Sequence, residues 1–496
     1  FLFSLPLVVI CWLYGLLSLL SWWRATKVIL AAFLLISASA SYFMSTYGIV
    51  IDYTMLTNLL QTDPAEASDL MTWRLVGWML LFGVLPVVVL SRARLLQRGW
   101  KRELWGKLGG IVLALVCIGA IVGTSFQSYS SLVRNNREIR LMLVPSNVVA
   151  ATHSYLKRQF AAPTKLEVVG KDAYRLLPGG KPKVTVLVVG ETARAANFSL
   201  NGYSRETNPE LAGLGVLNFT NATSCGTATA TSVPCMFQDL GRKDFQDSNA
   251  ENREGLLDVL QRAGYAVLWM DNQSGCKGQC ARTPYVNTSD LKLPEYCQGD
   301  ECRDTVMLAR VDAELAKLPA ERRARGTVVV MHQMGSHGPA YFKRTPAEFK
   351  KFTPECTDTS LSQCDRAQVI NAYDNTIVFT DYFLSRVIGW LKTQEKNSTP
   401  AMLYVSDHGE SLGEKNMYLH GLPYSVAPPE QTTVPVVTWL SPGFEQLSRV
   451  STRCLQAQRD KPLSHDNLFH SVLGLMAVKT TVYQRERDFF AACEGR

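Results

Sequence analysis

Hydrophobic positions follow two regimes along this chain. Up to about residue 131 they form uninterrupted apolar stretches without charge, Leu2 to Trp23, Val28 to Ile51, Leu75 to Leu90 and Leu108 to Ser131. About 20 helical residues cross the ~30 Å hydrocarbon core of a bilayer, so four such runs in succession predict an α-helical transmembrane domain over 1–131. Flanking charge sets the orientation. Arg24 and Lys27 follow the first run, and Arg92, Arg94, Arg98, Lys101, Arg102 and Lys107 follow the third, which makes these loops cytoplasmic. The loop with Asp52, Asp63, Glu66 and Asp69 faces outward. Both ends of a four-span unit then lie outside, and because the chain begins at Phe1, one upstream span is expected to be missing.

After residue 131 the pattern changes. Residues 132–182 read as a connector, with an amphipathic stretch from Ile139 to Phe160 suited to the membrane surface, ended by Pro163 and by Pro178 to Pro182. From Lys183 onward, short β-branched runs at 184–190, 265–270, 326–332, 402–409 and 434–440 alternate with helical patterns at 251–263, 305–318, 366–393 and 466–477. Continuous apolar runs of this length predict strands buried on both faces, hence an α/β domain over 183–496 with a mostly parallel central sheet. In such sheets ligands gather at the carboxyl ends of strands. Glu191, His332 and the pair Asp407-His408 all follow predicted strands, so they are expected at one sheet edge.

Charge changes this picture little. Much of the net +8 sits in the loop at 92–107, where it suits anionic lipid better than nucleic acid, and no nucleic-acid motif is present. Cysteine usage adds a compartment. Of 12 cysteines, Cys11 and Cys117 fall inside predicted spans; the others form close pairs, Cys225 with Cys235, Cys276 with Cys280, Cys297 with Cys302 and Cys356 with Cys364, leaving Cys454 and Cys493. An even number at short spacings predicts disulfides in an oxidising compartment, in agreement with the topology. A zinc–thiolate site is the competing reading, disfavoured because no pair has the CxxC spacing.

Asp407, His408 and Glu191 offer oxygen and nitrogen ligands suited to zinc. The segment Ser224 to Cys235 concentrates hydroxyls between two cysteines, at an expected helix N-terminus whose N–H groups favour an alkoxide and a phosphate. Zinc lowers the pKa of a bound hydroxyl and so makes it a nucleophile. The residues themselves leave Thr227, Thr229 and Thr231 as candidates. His465 reads as a helix-start residue rather than a ligand, capped by Ser464 or Asp466, and His153 and His470 lack ligand-like neighbours.

The stretches VVGETARAANFSLNGYSRETNP (188–209), SCGTATATSVPCMF (224–237), SGCKGQC (274–280), HQMGSHGPAY (332–341), SDHGESLGE (406–414) and SHDNLFHSVLGL (464–475) resemble the lipid A phosphoethanolamine transferases, which include the mobile colistin resistance enzymes. Their catalytic domains are similar to alkaline phosphatases and sulfatases. The resemblance implies a zinc ion held by Glu191, Thr229, Asp407 and His408, with Thr229 as nucleophile. It also implies that His337 and His420 bind the transferred phosphate or a second zinc, and that Lys277 and Glu410 contact the phosphoethanolamine group. Where this sequence has Gln273 the family often has asparagine, which leaves the polar role there open between Asn272 and Gln273.

The function implied by the resemblance is transfer of phosphoethanolamine from phosphatidylethanolamine to a lipid A phosphate, through a covalent phospho-threonine. The expected setting is the periplasmic side of a Gram-negative inner membrane, with both substrates drawn from the bilayer, no nucleic-acid partner and a monomeric enzyme. Other acceptors, such as core oligosaccharide, glycan or water, are the alternatives, as is a scaffold built on an inactive phosphatase-like fold.

Overall fold

The structure, a computed structural model, describes residues 2–21, 25–61, 64–94, 99–135, 139–160, 165–176, 180–291, 293–298 and 301–495. Phe1, Trp23, Arg24, Asp63, Arg98, Pro163 and Pro178 lie outside these. The chain divides into two compact units, Phe1–Leu56 with Met71–Phe160, and Thr57–Leu70 with Ala161–Arg496.

In the first unit, helices α1 (Leu5–Leu20), α2 (Thr26–Tyr47), α3 (Trp73–Arg92) and α4 (Trp100–Thr124) carry the apolar runs. Three of them, α2, α3 and α4, are long and apolar enough to cross a membrane, whereas α1 is a 16-residue apolar helix. Within α3 the ladder widens to π turns over Met79–Val84, just ahead of Pro86, whose missing N–H and ring cannot fit a regular turn. The fourth run differs from its expected limits. α4 begins at Trp100, because its polar first turns are good helix formers joined by a Glu103–Lys107 pair at 3.3 Å, and it ends at Thr124, before a separate helix Phe126–Asn135. The amphipathic stretch is also interrupted: Pro145 separates Ile139–Met142 from α5 (Ser146–Gln159).

The second unit is built on an eight-stranded sheet. Its strands are β1 (Lys183–Gly190), β2 (Leu217–Thr223), β3 (Ala266–Asp271), β4 (Tyr285–Asn287), β5 (Thr327–His332), β6 (Thr399–Ser406), β7 (Thr433–Leu440) and β8 (Leu463–Ser464). They lie in the order β8-β2-β7-β6-β1-β5-β3-β4, and only β7 runs against the rest. Both faces are apolar, as the continuous runs predict. Leu187, Val189, Val328, Val330, Leu403 and Val405 join one core with α7 (Leu256–Arg262) and α10 (Leu468–Leu475). The alternate residues Val186, Val188, Val329, Met331, Met402 and Tyr404 are equally buried. Helices α8 (Val306–Ala316) and α9 (Arg366–Gln394) contact β3 and β6 respectively. α6 (Thr229–Met236) follows β2.

Two sequence readings change. The expected helix over 251–263 is broken, because Arg253 turns extended to bind Asp239 and Glu167 while Glu254 N–H donates to Glu167 O; α7 restarts after Gly255. The strand expected at 402–409 is shifted to 399–406, which puts Asp407 in the first position beyond it. Five disulfides pair the ten cysteines of this unit as neighbours, including Cys454 with Cys493. Asp69, from the loop expected to face outward, is buried in this unit and pairs with Lys343 and Arg344.

Candidate active site

Four adjacent parallel strands deliver a row of side chains to one edge. β1 and β6 pair with Gly190 opposite Ser406, so Glu191 and Asp407 leave the sheet side by side. On the other flank of β1, His332 ends β5 opposite Asp271 at the end of β3. Gly190 permits this closeness: a Cβ there would stand 2.5 Å from the Tyr404 hydroxyl. β2 pairs with β7 at Thr223, and the loop beyond it, bridged by Cys225–Cys235, presents Thr229 as the first residue of α6.

Glu191, Thr229, Asp407 and His408 meet at one buried point. Thr229 Oγ1 lies 3.2 and 3.1 Å from the two Glu191 carboxylate oxygens and 3.4 Å from His408 Nε2. One ligand atom from each of Glu191, Asp407 and His408 falls within 4.8 Å of the others. The imidazole is aimed by its far nitrogen, since Nδ1–H donates to Gly409 O at 2.9 Å. Asp407 Oδ1 accepts from Thr192 N–H at 3.1 Å and His408 N–H at 2.7 Å, whereas its buried Oδ2 has no hydrogen-bond partner among the described residues.

The charges here are coupled but unbalanced, two carboxylates facing one imidazole whose Nε2 lies 3.4 Å from each. Burial pushes both carboxyls up, but the hydrogen bond and charge of His408 hold Glu191 below the usual carboxylate range. Asp407 stands at about 6, because burial and the Glu191 charge outweigh the attraction of His408. Burial alone would depress His408, yet the neighbouring carboxylates lift it to about 10. Two carboxylates, an imidazole and a threonine hydroxyl converging on one point, with a buried carboxylate oxygen left over, fit a divalent cation of zinc's ligand preference.

Residues that the sequence reading passed over hold this geometry. Thr192 has φ +61°, a left-handed conformation that is rare for a β-branched residue. It bridges the two carboxylates, donating Oγ1–H to Glu191 at 2.7 Å and its N–H to Asp407. Its carbonyl accepts from the Tyr373 hydroxyl of α9 at 2.8 Å, and that hydroxyl accepts in turn from Arg194 N–H at 2.9 Å. Asp304, fully buried, accepts from Met334 and Gly335 N–H at 2.8 and 3.1 Å, which fixes the turn beside Glu191. The sequence carries no local signal for any of these roles.

The remaining expected site residues separate into groups. His420 stacks near His408, with ring centroids 4.3 Å apart, and near His337 at 5.7 Å, and its Nδ1 lies 3.4 Å from Glu410. Burial drives Glu410 well above the carboxylate range, and burial with the neighbouring His408 and His337 drives His420 well below the histidine range. His332 is bound to Asp271 at 3.2 Å. Asn272 has its amide committed, donating to Cys302 O and Asp304 and accepting from Thr288. Gln273 accepts from Ser274, and Lys277 donates to Ser274 O at 2.9 Å and Oγ at 2.8 Å, so these residues make their described hydrogen bonds within their own loop.

Comparison with known proteins covers the whole chain. A family profile described as phosphoethanolamine transferase EptA/EptB matches residues 9–160, and one described as sulfatase matches residues 183–478. The chain is 41% identical over 500 residues to the phosphoethanolamine transferase EptA of Salmonella typhimurium, across 99% of this chain and 90% of that protein. It is 39% identical over 474 residues to the phosphatidylethanolamine transferase Mcr-1 of Escherichia coli, across 93% and 85%. Among solved structures it superposes on the integral membrane lipooligosaccharide phosphoethanolamine transferase A of Neisseria meningitidis with a TM-score of 0.96 at 38% identity, over 100% of this chain and 92% of that one.

Proposed function

Since the chain belongs to the phosphoethanolamine transferase family, we propose that it moves phosphoethanolamine from phosphatidylethanolamine to a phosphate of lipid A through a phospho-Thr229 intermediate at a zinc site. The protein is an inner-membrane protein whose catalytic domain lies in the periplasm, so both lipids share its bilayer and reach it at high effective concentration. The observation that carries the reading is the position of Thr229 Oγ1, between 3.1 and 3.4 Å from Glu191 and His408.

Glu191, Asp407 and His408, with Thr229, are the residues that would hold the zinc. The ion, when bound, supplies positive charge that lowers the threonine pKa and neutralises phosphoryl oxygens. The chain's own groups do the rest. Glu191 orients the Thr229 hydroxyl by hydrogen bonding, and the N–H groups at the start of α6 face the incoming phosphate. Thr229 Oγ1 bonds to phosphorus as the bond from phosphorus to the glycerol oxygen breaks, and diacylglycerol leaves with a proton. In the second half a lipid A phosphate oxygen attacks the phospho-threonine, and Thr229 Oγ1 regains a proton. His337 and His420 lie together beside Glu410, and their imidazoles are suited to bind phosphoryl oxygens. The added ethanolamine cation lowers the negative charge that draws polymyxins to lipid A.

Incubating the protein with labelled phosphatidylethanolamine and lipid A tests this. Label is expected on lipid A and, in a quenched reaction, on the peptide 224–237; Thr229→Ala and chelation should each abolish both. Label recovered only as free phosphoethanolamine would make the protein a hydrolase and overturn the assignment.

A further inference from the structure

The strand that precedes Thr229 and the strand that precedes Asp407 have no direct ladder between them. Thr229 follows β2 and Asp407 follows β6, but β7 separates these strands and runs the other way. The sheet therefore joins the loop at 224–229 to the end of β6 only indirectly, through β7. Two buried side chains span that gap.

His465 opens the short helical turn after β8 and is 2% exposed. Its Nδ1 accepts from Cys225 N–H at 3.0 Å, and its Nε2–H donates to Ser406 O at 2.9 Å. Cys225 lies in the loop that delivers Thr229, and Ser406 immediately precedes Asp407, so one imidazole ring joins the two halves of the site. Only the neutral ring with its proton on Nε2 makes both bonds, and burial holds His465 down at about 4, which keeps it neutral at pH 7. Ser232, three residues into α6, makes a second tie. Its Oγ–H donates to Asp407 O at 2.5 Å while the same oxygen accepts from Gly226 N–H at 3.2 Å. The two ties adjoin, with Ser232 Oγ 3.4 Å from His465 Nδ1.

We propose that His465 and Ser232 are positioning residues, a clasp that sets Thr229 against Glu191, Asp407 and His408 and so governs the rate of phosphoryl transfer to Thr229 without contributing a metal ligand or a lipid contact. This rests on the reading of Thr229 as nucleophile. Misplacing a reacting atom by about 1 Å costs roughly 10²-fold in rate, which sets the scale of the expected effect.

The test uses the full chain in detergent micelles. His465→Ala should lower kcat and the single-turnover rate of Thr229 labelling about 10²-fold, with the KM for phosphatidylethanolamine and the zinc content per chain within about twofold of wild type. His465→Gln, which can still accept and donate, should recover about tenfold of that loss. In the zinc-free protein, amide exchange in the peptide 224–237 should quicken in His465→Ala, a change that does not depend on turnover. A folded, zinc-loaded His465→Ala enzyme with kcat within about threefold of wild type would overturn the clasp, as would a loss of kcat that merely tracks lost zinc. If His465→Ala does not fold, Ser232→Ala removes one hydroxyl and faces the same criteria. Thr229→Ala is measured in parallel. Activity surviving in that variant removes the nucleophile reading itself, whereas an inactive Thr229→Ala beside a normal His465→Ala removes only the clasp.

Discussion

Asp407→Asn separates what the site costs the fold from what it gives the reaction. Asp407 is fully buried, and its carboxyl stands at about 6 against an ordinary value of 3.8, with burial and then the Glu191 charge as causes. A carboxyl raised in the folded state favours the fold when protonated. That contribution is complete below about 3.8 and is lost as pH rises through 6, so the ionised group at pH 7 costs on the order of 3 kcal/mol, at 1.36 kcal/mol per unit. Asparagine mimics the protonated form. Its Oδ1 can keep the bonds from Thr192 and His408 N–H, and its amide nitrogen replaces an oxygen that makes no hydrogen bond among the described residues and lies 3.4 Å from His408 Nε2. Zinc-free Asp407→Asn should therefore melt about 4 °C above zinc-free wild type at pH 7, at roughly 1.5 °C per kcal/mol for a unit of this size, and the gap should close near pH 4. Zinc should reverse the order: at about 1,000 times its Kd it is expected to add about 4 kcal/mol to wild type and little to the variant. Thermal melts of the full chain with chelator and with zinc check this. A zinc-free variant that melts below wild type, or a variant that gains as much from zinc, would refute the reasoning.

Zinc affinity itself should depend on pH, because His408, lifted to about 10, must give up a proton to bind; the binding constant should rise about tenfold per pH unit between pH 7 and 9, and a flat chelator-competition curve there would count against His408 as a ligand. Tyr373→Phe strips partners from the buried Thr192 carbonyl and Arg194 N–H, and should cost about 2 kcal/mol in denaturant titrations and weaken zinc binding by roughly 10-fold or more. Replacing both Cys454 and Cys493 by serine opens a 39-residue separation, which on the chain-entropy account lowers stability by about 4 kcal/mol, measurable as a drop in melting temperature with zinc held constant.

The parts of this molecule that were legible in its sequence are those governed by local pattern. Apolar runs marked the membrane helices, and β-branched runs marked β1, β3, β5, β6 and β7, whose ends then carried Glu191, His332 and Asp407. β2 escaped notice because Asn218, Thr220, Asn221 and Thr223 interrupt its apolar character, and β4 and β8 because edge strands of three and two residues are too short to show a period. The supports of the site escaped for another reason. Tyr373 holds Thr192 across 181 residues and His465 holds Cys225 across 240, so neither contact leaves any spacing to read. A histidine opening a helical turn looks the same in sequence whether or not its ring joins two distant segments.

Three costly features meet at this site. Thr192 holds a backbone conformation that costs about 1–3 kcal/mol, Asp407 keeps an oxygen without a donor, and two carboxylates lie side by side behind a protonated imidazole. Each is destabilising alone; a cation at the point where Glu191, Asp407 and His408 converge would neutralise the carboxylates and offset the backbone strain. Thr229 Oγ1 already occupies the edge of that point through its bonds to Glu191. On the proposed reading metal and nucleophile share the Glu191 carboxylate, and a change that shifts Glu191 is expected to move zinc affinity and phosphorylation rate together. A change at His465 should move the rate alone, and that difference in response is what distinguishes a ligand from a residue that only sets distance.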